Sequence, residues 1–232
     1  MWEQQFKAIP AGWRLIAPDL RGFGGSTIDQ EPESPSMDDY AGDVIDLLRE
    51  LGVSSAVVGG CSMGGYVTFA IARQAPRMVR GLVLANTRAG SDSLEGRTNR
   101  KNLLAVLDRE GASGVAREMT PKLIGKTSVE ERPSVESNVR RLIKQQSPQA
   151  IRGAALRMMD RPDSFPTLKQ MSVPALVIAG AEDTLIPVEE SQKIADALPT
   201  AELVIVPRAG HLTNLEDPAA FNNAFIAFLS RL

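Results

Sequence analysis

Short apolar runs alternate with amphipathic stretches along most of this chain, and this alternation is the feature that most constrains its fold. Each run is nearly continuous in apolar character, as expected for strands that helices cover on both faces. The five predicted strands are residues 14–17, 56–59, 81–85, 175–179 and 203–206. The pattern predicts an α/β fold with a mostly parallel sheet flanked by helices.

Two helices have recognisable starts. Ser36 is a predicted N-cap with Asp39 three residues later, the spacing of a capping box. Near the C-terminus, Asp217 and Pro218 predict the N-cap and first residue of a second helix. The apolar stripe of that second helix consists of Phe221, Phe225, Phe228 and Leu232.

Between residues 88 and 161 the strand pattern stops, and the sequence becomes charged, arginine-rich and helical in its apolar spacing. We interpret residues 88–161 as a helical cap inserted over the active edge of the sheet, and residues 1–87 and 162–232 as the α/β core. The arginines of the cap are predicted to form a solvated face, with one or two reaching inward to a substrate carboxylate.

Composition excludes several classes of function. The net charge is -2 with acidic and basic residues interleaved, so no nucleic acid partner is expected. The apolar runs are far shorter than the roughly 18 residues that cross a bilayer, and the N-terminus lacks the pattern of a signal peptide, which predicts a cytoplasmic protein with no membrane partner. With one cysteine and one histidine in the chain, neither an internal disulfide nor a metal site is expected.

The segment Gly60-Cys61-Ser62-Met63-Gly64 follows an apolar run and precedes a helical pattern. In such a strand–turn–helix the turn exposes the central side chain, and glycines avoid clashes beside it. Ser62 is therefore a candidate nucleophile. The helix N-terminus beside it offers unpaired N–H groups, of which the backbone N–H of Met63 is the candidate oxyanion donor.

A serine nucleophile needs a base, and a carboxylate that holds this base in one tautomer. His211 is the only histidine of the chain, so it is the only candidate imidazole base. Asp183 is the candidate carboxylate because it follows the strand at 175–179 and would lie at the same carboxyl edge as Ser62 and His211. Its neighbour Glu182 would then point elsewhere.

Each of these residues also has a simpler interpretation. The Gly-x-Ser-x-Gly pattern occurs in ordinary glycine-rich turns, and Cys61 is an alternative nucleophile, although it is one position away from the apex. Asp183 fits a helix cap or a surface turn, and His211 fits a loop histidine with a structural role. The order serine, aspartate and histidine after three apolar runs favours the catalytic interpretation.

Four motifs in order resemble the α/β-hydrolase fold family: residues 19–26, the elbow at 60–65, the acid loop at 180–183 and Gly210-His211. The form Cys-Ser-Met-Gly-Gly is similar to small esterases, 3-oxoadipate enol-lactonases and cofactor-free haloperoxidase-like enzymes. The resemblance implies that Ser62 is the nucleophile, Asp183 the orienting acid, His211 the general base and the Met63 N–H an oxyanion donor. It implies no cofactor.

The chain departs from that family at its start. Family members carry further strands and a His-Gly loop, which supplies a second oxyanion donor, upstream of the segment matching residues 2–9. The missing third strand would lie between residues 14–17 and 56–59. Three explanations are open: Met1 is internal to a longer protein, the two strands pair with each other, or another subunit fills the gap in a homo-oligomer.

Three functions follow as hypotheses. The first is a serine hydrolase that cleaves small carboxylic esters through an acyl-enzyme. The second, motivated by the arginine-rich cap, is a lactonase acting on a carboxylated enol-lactone. The third belongs to another class: a catalytically disabled hydrolase fold that binds a ligand, motivated by the absent oxyanion loop.

Overall fold

The computed structural model describes residues 1–28 and 34–232. Their strands form a parallel sheet in the order β1-β2-β3-β4. These strands are β1 (Ala56–Cys61), β2 (Val79–Ala85), β3 (Ala175–Gly180) and β4 (Ala201–Val206). The parallel α/β architecture and four of the five predicted strands are therefore confirmed, each within two residues of its predicted ends.

Helices cover both faces of the sheet. In chain order they are α1 (Glu3–Ala8), α2 (Met37–Glu50), α3 (Met63–Gln74), α4 (Leu94–Leu123), α5 (Lys126–Glu131), α6 (Pro133–Lys144), α7 (Pro148–Met159), α8 (Phe165–Leu168), α9 (Val188–Ala197), α10 (Thr213–Glu216) and α11 (Pro218–Leu229), with a short 3-10 helix at Pro76–Met78. Both predicted helix starts are confirmed: Ser36 and Asp39 form a capping box on α2, and the Asp217 side chain accepts from the Ala220 N–H at the start of α11.

Successive residues of the central strands enter two different cores, as the period of a strand requires. Leu82 and Leu84 of β2 pack with α2, α3 and α9 on one face. Val83 and Ala85 pack with the phenylalanines of α11 on the other face. Because all four strands are parallel, their carboxyl ends lie at one edge of the sheet.

The prediction of a strand at residues 14–17 is wrong, since this segment forms no ladder with any described strand. Extended chain becomes a strand only when a neighbour supplies hydrogen bonds, and among the described strands β1 pairs only with β2. Side chains hold this part of the chain instead. Ile16 packs on the core that contains Leu82, and the preceding Trp13 packs on the core that contains Val83. Pairing of residues 14–17 with β1 thus does not occur.

The region between β2 and β3 is helical, as its composition indicated. It holds α4 to α8, and α4, α6 and α7 enclose an apolar cluster of their own that includes Leu104, Val115 and Met159. α4 is kinked at Gly111, whose φ is 62°. The treatment of residues 88–161 as a separate cap stays a prediction. No helix of the described residues combines the length and the apolar character needed to cross a membrane.

Candidate active site

Ser62 occupies the turn between β1 and α3 in a strained conformation. Its φ is 54° and its ψ is -112°, a combination that costs a non-glycine residue about 1–3 kcal/mol. Hydrogen bonds on both sides hold it there: the Ser62 N–H donates to the Ala85 carbonyl and the Thr87 hydroxyl donates to the Ser62 carbonyl, each at 2.9 Å. Strain maintained in this way presents a side chain at the edge of the sheet.

The glycines around Ser62 have different roles. A Cβ on Gly60 would lie 2.2 Å from the Gly64 carbonyl carbon, and one on Gly65 would lie 2.3 Å from the Thr87 hydroxyl oxygen. A Cβ on Gly64 would meet no atom within 4 Å. The turn therefore needs glycine at positions 60 and 65, whereas the sequence pattern had pointed to positions 60 and 64.

This difference gives a matched pair of variants. We expect Gly60→Ala to lower the free energy of unfolding by about 2 kcal/mol or more, because the added methyl overlaps backbone atoms that cannot move aside. Gly64→Ala should stay within about 0.5 kcal/mol of the wild type or exceed it, because Gly64 lies in a helix with open space beside it. Urea unfolding followed by circular dichroism measures both. Equal stability of the two variants would contradict this account of the turn.

Asp183 and His211 are joined by a buried hydrogen bond. The distance from His211 Nδ1 to Asp183 Oδ2 is 2.8 Å, and the two residues are 2% and 8% exposed, respectively. The other carboxylate oxygen of Asp183 accepts from the N–H groups of Leu185 and Ile186, each at 2.9 Å. The acid loop after β3 thus orients a carboxylate toward one ring nitrogen of the single histidine.

The charge state of Asp183 follows from these contacts. Burial raises the pKa of its carboxyl, but the hydrogen bond and charge of His211, with donors from Ile186 and Asn86, outweigh burial and hold that pKa below its usual value of about 4. The carboxylate is therefore ionised at neutral pH. Its contribution to stability is present above the unfolded pKa and is lost as the pH falls through the folded value.

Asn86 is a residue of this site that the sequence reasoning missed. It is buried, has a φ of 46° and follows β2 directly. Its amide donates to Asp183 Oδ2 at 3.0 Å and to the Gly210 carbonyl at 3.1 Å, and it accepts from the Thr213 hydroxyl at 2.7 Å. One side chain thus ties the acid loop to the histidine loop, defined here as residues 207–212 between β4 and α10. Its position after an apolar run was the signal that could have found it.

Two acidic neighbours of these residues point away from the imidazole. The Glu182 carboxylate accepts from the Thr127 N–H and hydroxyl at 2.9 and 2.6 Å, so it faces α5, as expected if Asp183 faces inward. The buried Glu216 carboxylate accepts from the N–H groups of Gly210 and Leu212, each at 3.0 Å. Glu216 was not singled out from the sequence, where it stands as one acidic residue before a helix.

Cys61 is poorly suited to act as the nucleophile. Its side chain is buried and lies 3.5 Å from the His211 carbonyl oxygen. Burial, together with the charges of Asp183 and Glu216, raises the pKa of the thiol far above its ordinary value, so the reactive thiolate does not form at neutral pH. The cysteine packs beneath the turn that carries Ser62.

The predicted residues lie at the same edge of the sheet. Ser62 follows β1, Asp183 follows β3 and His211 follows β4. Asp183 and His211 are in direct contact, and the contact of Cys61 with the His211 carbonyl brings the histidine loop beside the residue that precedes Ser62. Met63 is the first residue of α3, where backbone N–H groups lack partners within the helix. This arrangement fits acyl transfer through a serine nucleophile.

Residues 1–28 and 34–232 contain no group of three or more histidine, cysteine, aspartate or glutamate side chains placed to hold a metal ion.

The comparisons with known proteins point to one family. Residues 1–218 match the model of the alpha/beta hydrolase fold. One curated relative is 3-oxoadipate enol-lactonase 2 of Acinetobacter baylyi, which is 28% identical over 232 residues, covering 100% of this chain and 84% of that protein.

Solved structures agree with this match. A thermophilic esterase from Thermogutta terrifontis, solved with malate bound, is 37% identical with a TM-score of 0.93, over 99% of this chain and 84% of that one. The enol-lactonase from Burkholderia xenovorans is 26% identical with a TM-score of 0.88, over 99% of this chain and 85% of that one. Both neighbours are therefore similar over nearly the whole of this chain.

Proposed function

Because the chain belongs to the α/β-hydrolase fold family, we propose that it is a serine hydrolase of small carboxylic esters. The observation that carries the proposal is the buried hydrogen bond between Asp183 and His211 at the edge where the strained Ser62 is held. The similarity to an esterase and to enol-lactonases supports an acyl-transfer reaction. We further propose a cytoplasmic location, on the argument from sequence alone.

In the proposed reaction the Ser62 hydroxyl oxygen attacks the ester carbonyl carbon while His211 Nε2 takes the hydroxyl proton. The bond between Ser62 Oγ and the carbonyl carbon forms as the carbonyl oxygen becomes an oxyanion. When the oxyanion collapses, the bond to the alcohol oxygen breaks and His211 returns the proton to it. Water then attacks the acyl-enzyme by the same route, releasing the acid and free Ser62.

The charges of the site suit these steps. His211 becomes an imidazolium when it takes the proton, and the ionised Asp183 at 2.8 Å stabilises this cation in a buried environment. The Met63 N–H, at the positive end of α3, is the proposed donor to the oxyanion. No step requires a cofactor.

Two measurements test the proposal together. We expect the wild-type protein to hydrolyse p-nitrophenyl acetate and to react once with a fluorophosphonate, with the label found on Ser62 by peptide mass spectrometry. A protein that stays unlabelled and gives no turnover would instead be the catalytically disabled, ligand-binding hydrolase fold.

A lactonase acting on a carboxylated substrate is the second candidate, and Arg88 is the observation that favours it. Most cap arginines are paired with carboxylates, as Arg97 is with Asp160 and Arg161 is with Asp92. Arg88 follows Thr87 at the active edge and donates to the Leu185 carbonyl at 2.7 Å, but no ion pair is found for it within the described residues. Its buried Nε also lacks a partner there. The malate bound to the thermophilic esterase is itself a dicarboxylate.

If Arg88 binds a substrate carboxylate, small dicarboxylates should compete with the ester. We expect malate to inhibit the wild type and Arg88→Gln to raise its inhibition constant about tenfold or more, since a hydrogen bond to a charged group contributes about 1.5–3 kcal/mol. Arg97→Gln is the matched control, because Arg97 is an exposed cap arginine in an ion pair. An inhibition constant that is unchanged in Arg88→Gln would remove the support for the lactonase.

A further inference from the structure

The Glu216 carboxylate is a buried charge that the proposed reaction does not use. The residue is 2% exposed and each of its oxygens accepts two hydrogen bonds. Oε1 accepts from the N–H groups of Gly210 and Leu212, each at 3.0 Å. These are the residues on either side of His211, so a single oxygen atom holds both ends of the histidine's backbone.

The other oxygen of Glu216 is fixed to the cap turn, defined here as residues 125–128, which are the N-cap and the first three residues of α5. Oε2 accepts from the Gly125 N–H and the Ser128 hydroxyl, each at 2.7 Å. The two loops also touch directly, because a Cβ on Gly210 would lie 2.3 Å from the Gly125 nitrogen. The cap turn and the histidine loop therefore pack too closely for a side chain at position 210, and the Glu216 carboxylate bonds to both of them beside this contact.

The donor set explains why a carboxylate is needed. Three of its four donors are peptide N–H groups, which cannot act as acceptors, and a carboxylate is the side chain that accepts at both ends. A glutamine would place its NH2 group against at least one of these N–H groups. The Ser128 hydroxyl alone can rotate to accept, so a glutamine fits best with its oxygen toward Gly210 and Leu212.

From this geometry we propose that Glu216 is a positioning residue for His211, a proposal that rests on the proposed serine hydrolase function. In the proposed reaction, one ring nitrogen of His211 hydrogen-bonds to Asp183 and the other accepts the proton of the Ser62 hydroxyl. Misplacing a catalytic group by about 1 Å can reduce the rate about a hundredfold. Glu216 fixes the backbone from which the ring projects, and the cap turn braces Glu216 from behind.

The test compares E216A and E216Q with the wild type in the hydrolysis of p-nitrophenyl acetate, below the unfolding transition and at equal folded concentration by circular dichroism. We expect kcat to fall about a hundredfold in E216A and about threefold to tenfold in E216Q, which keeps an oxygen for the two N–H groups beside His211. KM should stay within about twofold in both, because Glu216 is 2% exposed and offers no surface to a substrate.

S128A is the matched control for the cap side. It removes one donor to Oε2 and leaves both bonds to the histidine loop, so kcat should stay within about twofold while the melting temperature falls. A folded E216A with kcat within twofold of the wild type, or with the loss confined to KM, overturns the proposal; if E216A does not fold, the same criterion applies to E216Q. A wild type without turnover overturns the proposed function itself, which separates the two failures.

Discussion

Replacing Ser62 with alanine is expected to reduce kcat for p-nitrophenyl acetate by at least about a thousandfold. The methyl group cannot attack the carbonyl, so no acyl-enzyme forms and only slow direct attack by water remains. Fluorophosphonate labelling should disappear in the same variant. Stopped assays with active-site titration measure both quantities on one preparation.

Cys61→Ala is the control for this experiment. Cys61 lies one residue from Ser62, but its buried thiol packs under the turn and is held in the uncharged form. The variant should therefore keep its labelling stoichiometry and a kcat within a few-fold of the wild type. Loss of activity in Cys61→Ala with activity retained in Ser62→Ala would reverse the assignment of the nucleophile.

Replacing Asp183 with asparagine is expected to reduce kcat about ten-thousandfold with little change in KM. Asparagine keeps the shape and can still accept from the Leu185 and Ile186 N–H groups through Oδ1. Its NH2 group would then face His211 Nδ1, which would have to accept. The ring proton would move to Nε2, and the histidine could no longer take a proton from Ser62.

The measurement is kcat and KM from about pH 5 to pH 9, so that a shifted profile is not mistaken for a lost reaction. Glu182→Gln is the matched control, because Glu182 is the adjacent acidic residue and binds the cap turn through Thr127. That variant should stay within a few-fold of the wild type. If kcat fell as far in Glu182→Gln as in Asp183→Asn, the rate would depend on negative charge in the acid loop rather than on contact with the imidazole.

The α/β architecture could be predicted from the sequence because the signals for its strands and helix starts are local. Continuous apolar runs such as residues 175–179 are predicted as buried strands without knowledge of their neighbours, and the capping signals at Ser36 and Asp217 depend on atoms within one turn of helix. The segment at residues 14–17 has the same apolar character. Whether it forms a strand depends on a partner, which local sequence does not reveal.

The candidate site likewise has residues that local sequence predicts and residues that only the fold reveals. Ser62, Asp183 and His211 were found from residue type and from their places after apolar runs, because parallel strands bring their carboxyl ends to one edge. Their roles stay proposals that the variants above test. Asn86 and Glu216 were missed, since an asparagine after a strand and a glutamate before a helix are common and carry no mark of the loops they bind.

The sequence by itself determined the parallel α/β frame, the order of its elements and the single imidazole available to the site, because these depend on composition and on periodicities within a few residues. Tertiary structure alone decided that residues 14–17 form no ladder with the strands described, that glycine is required at position 65 and not at position 64, and that Glu216 joins the cap turn to the histidine loop. Each of these depends on which atoms, distant along the chain, lie within a few ångströms of one another in the fold.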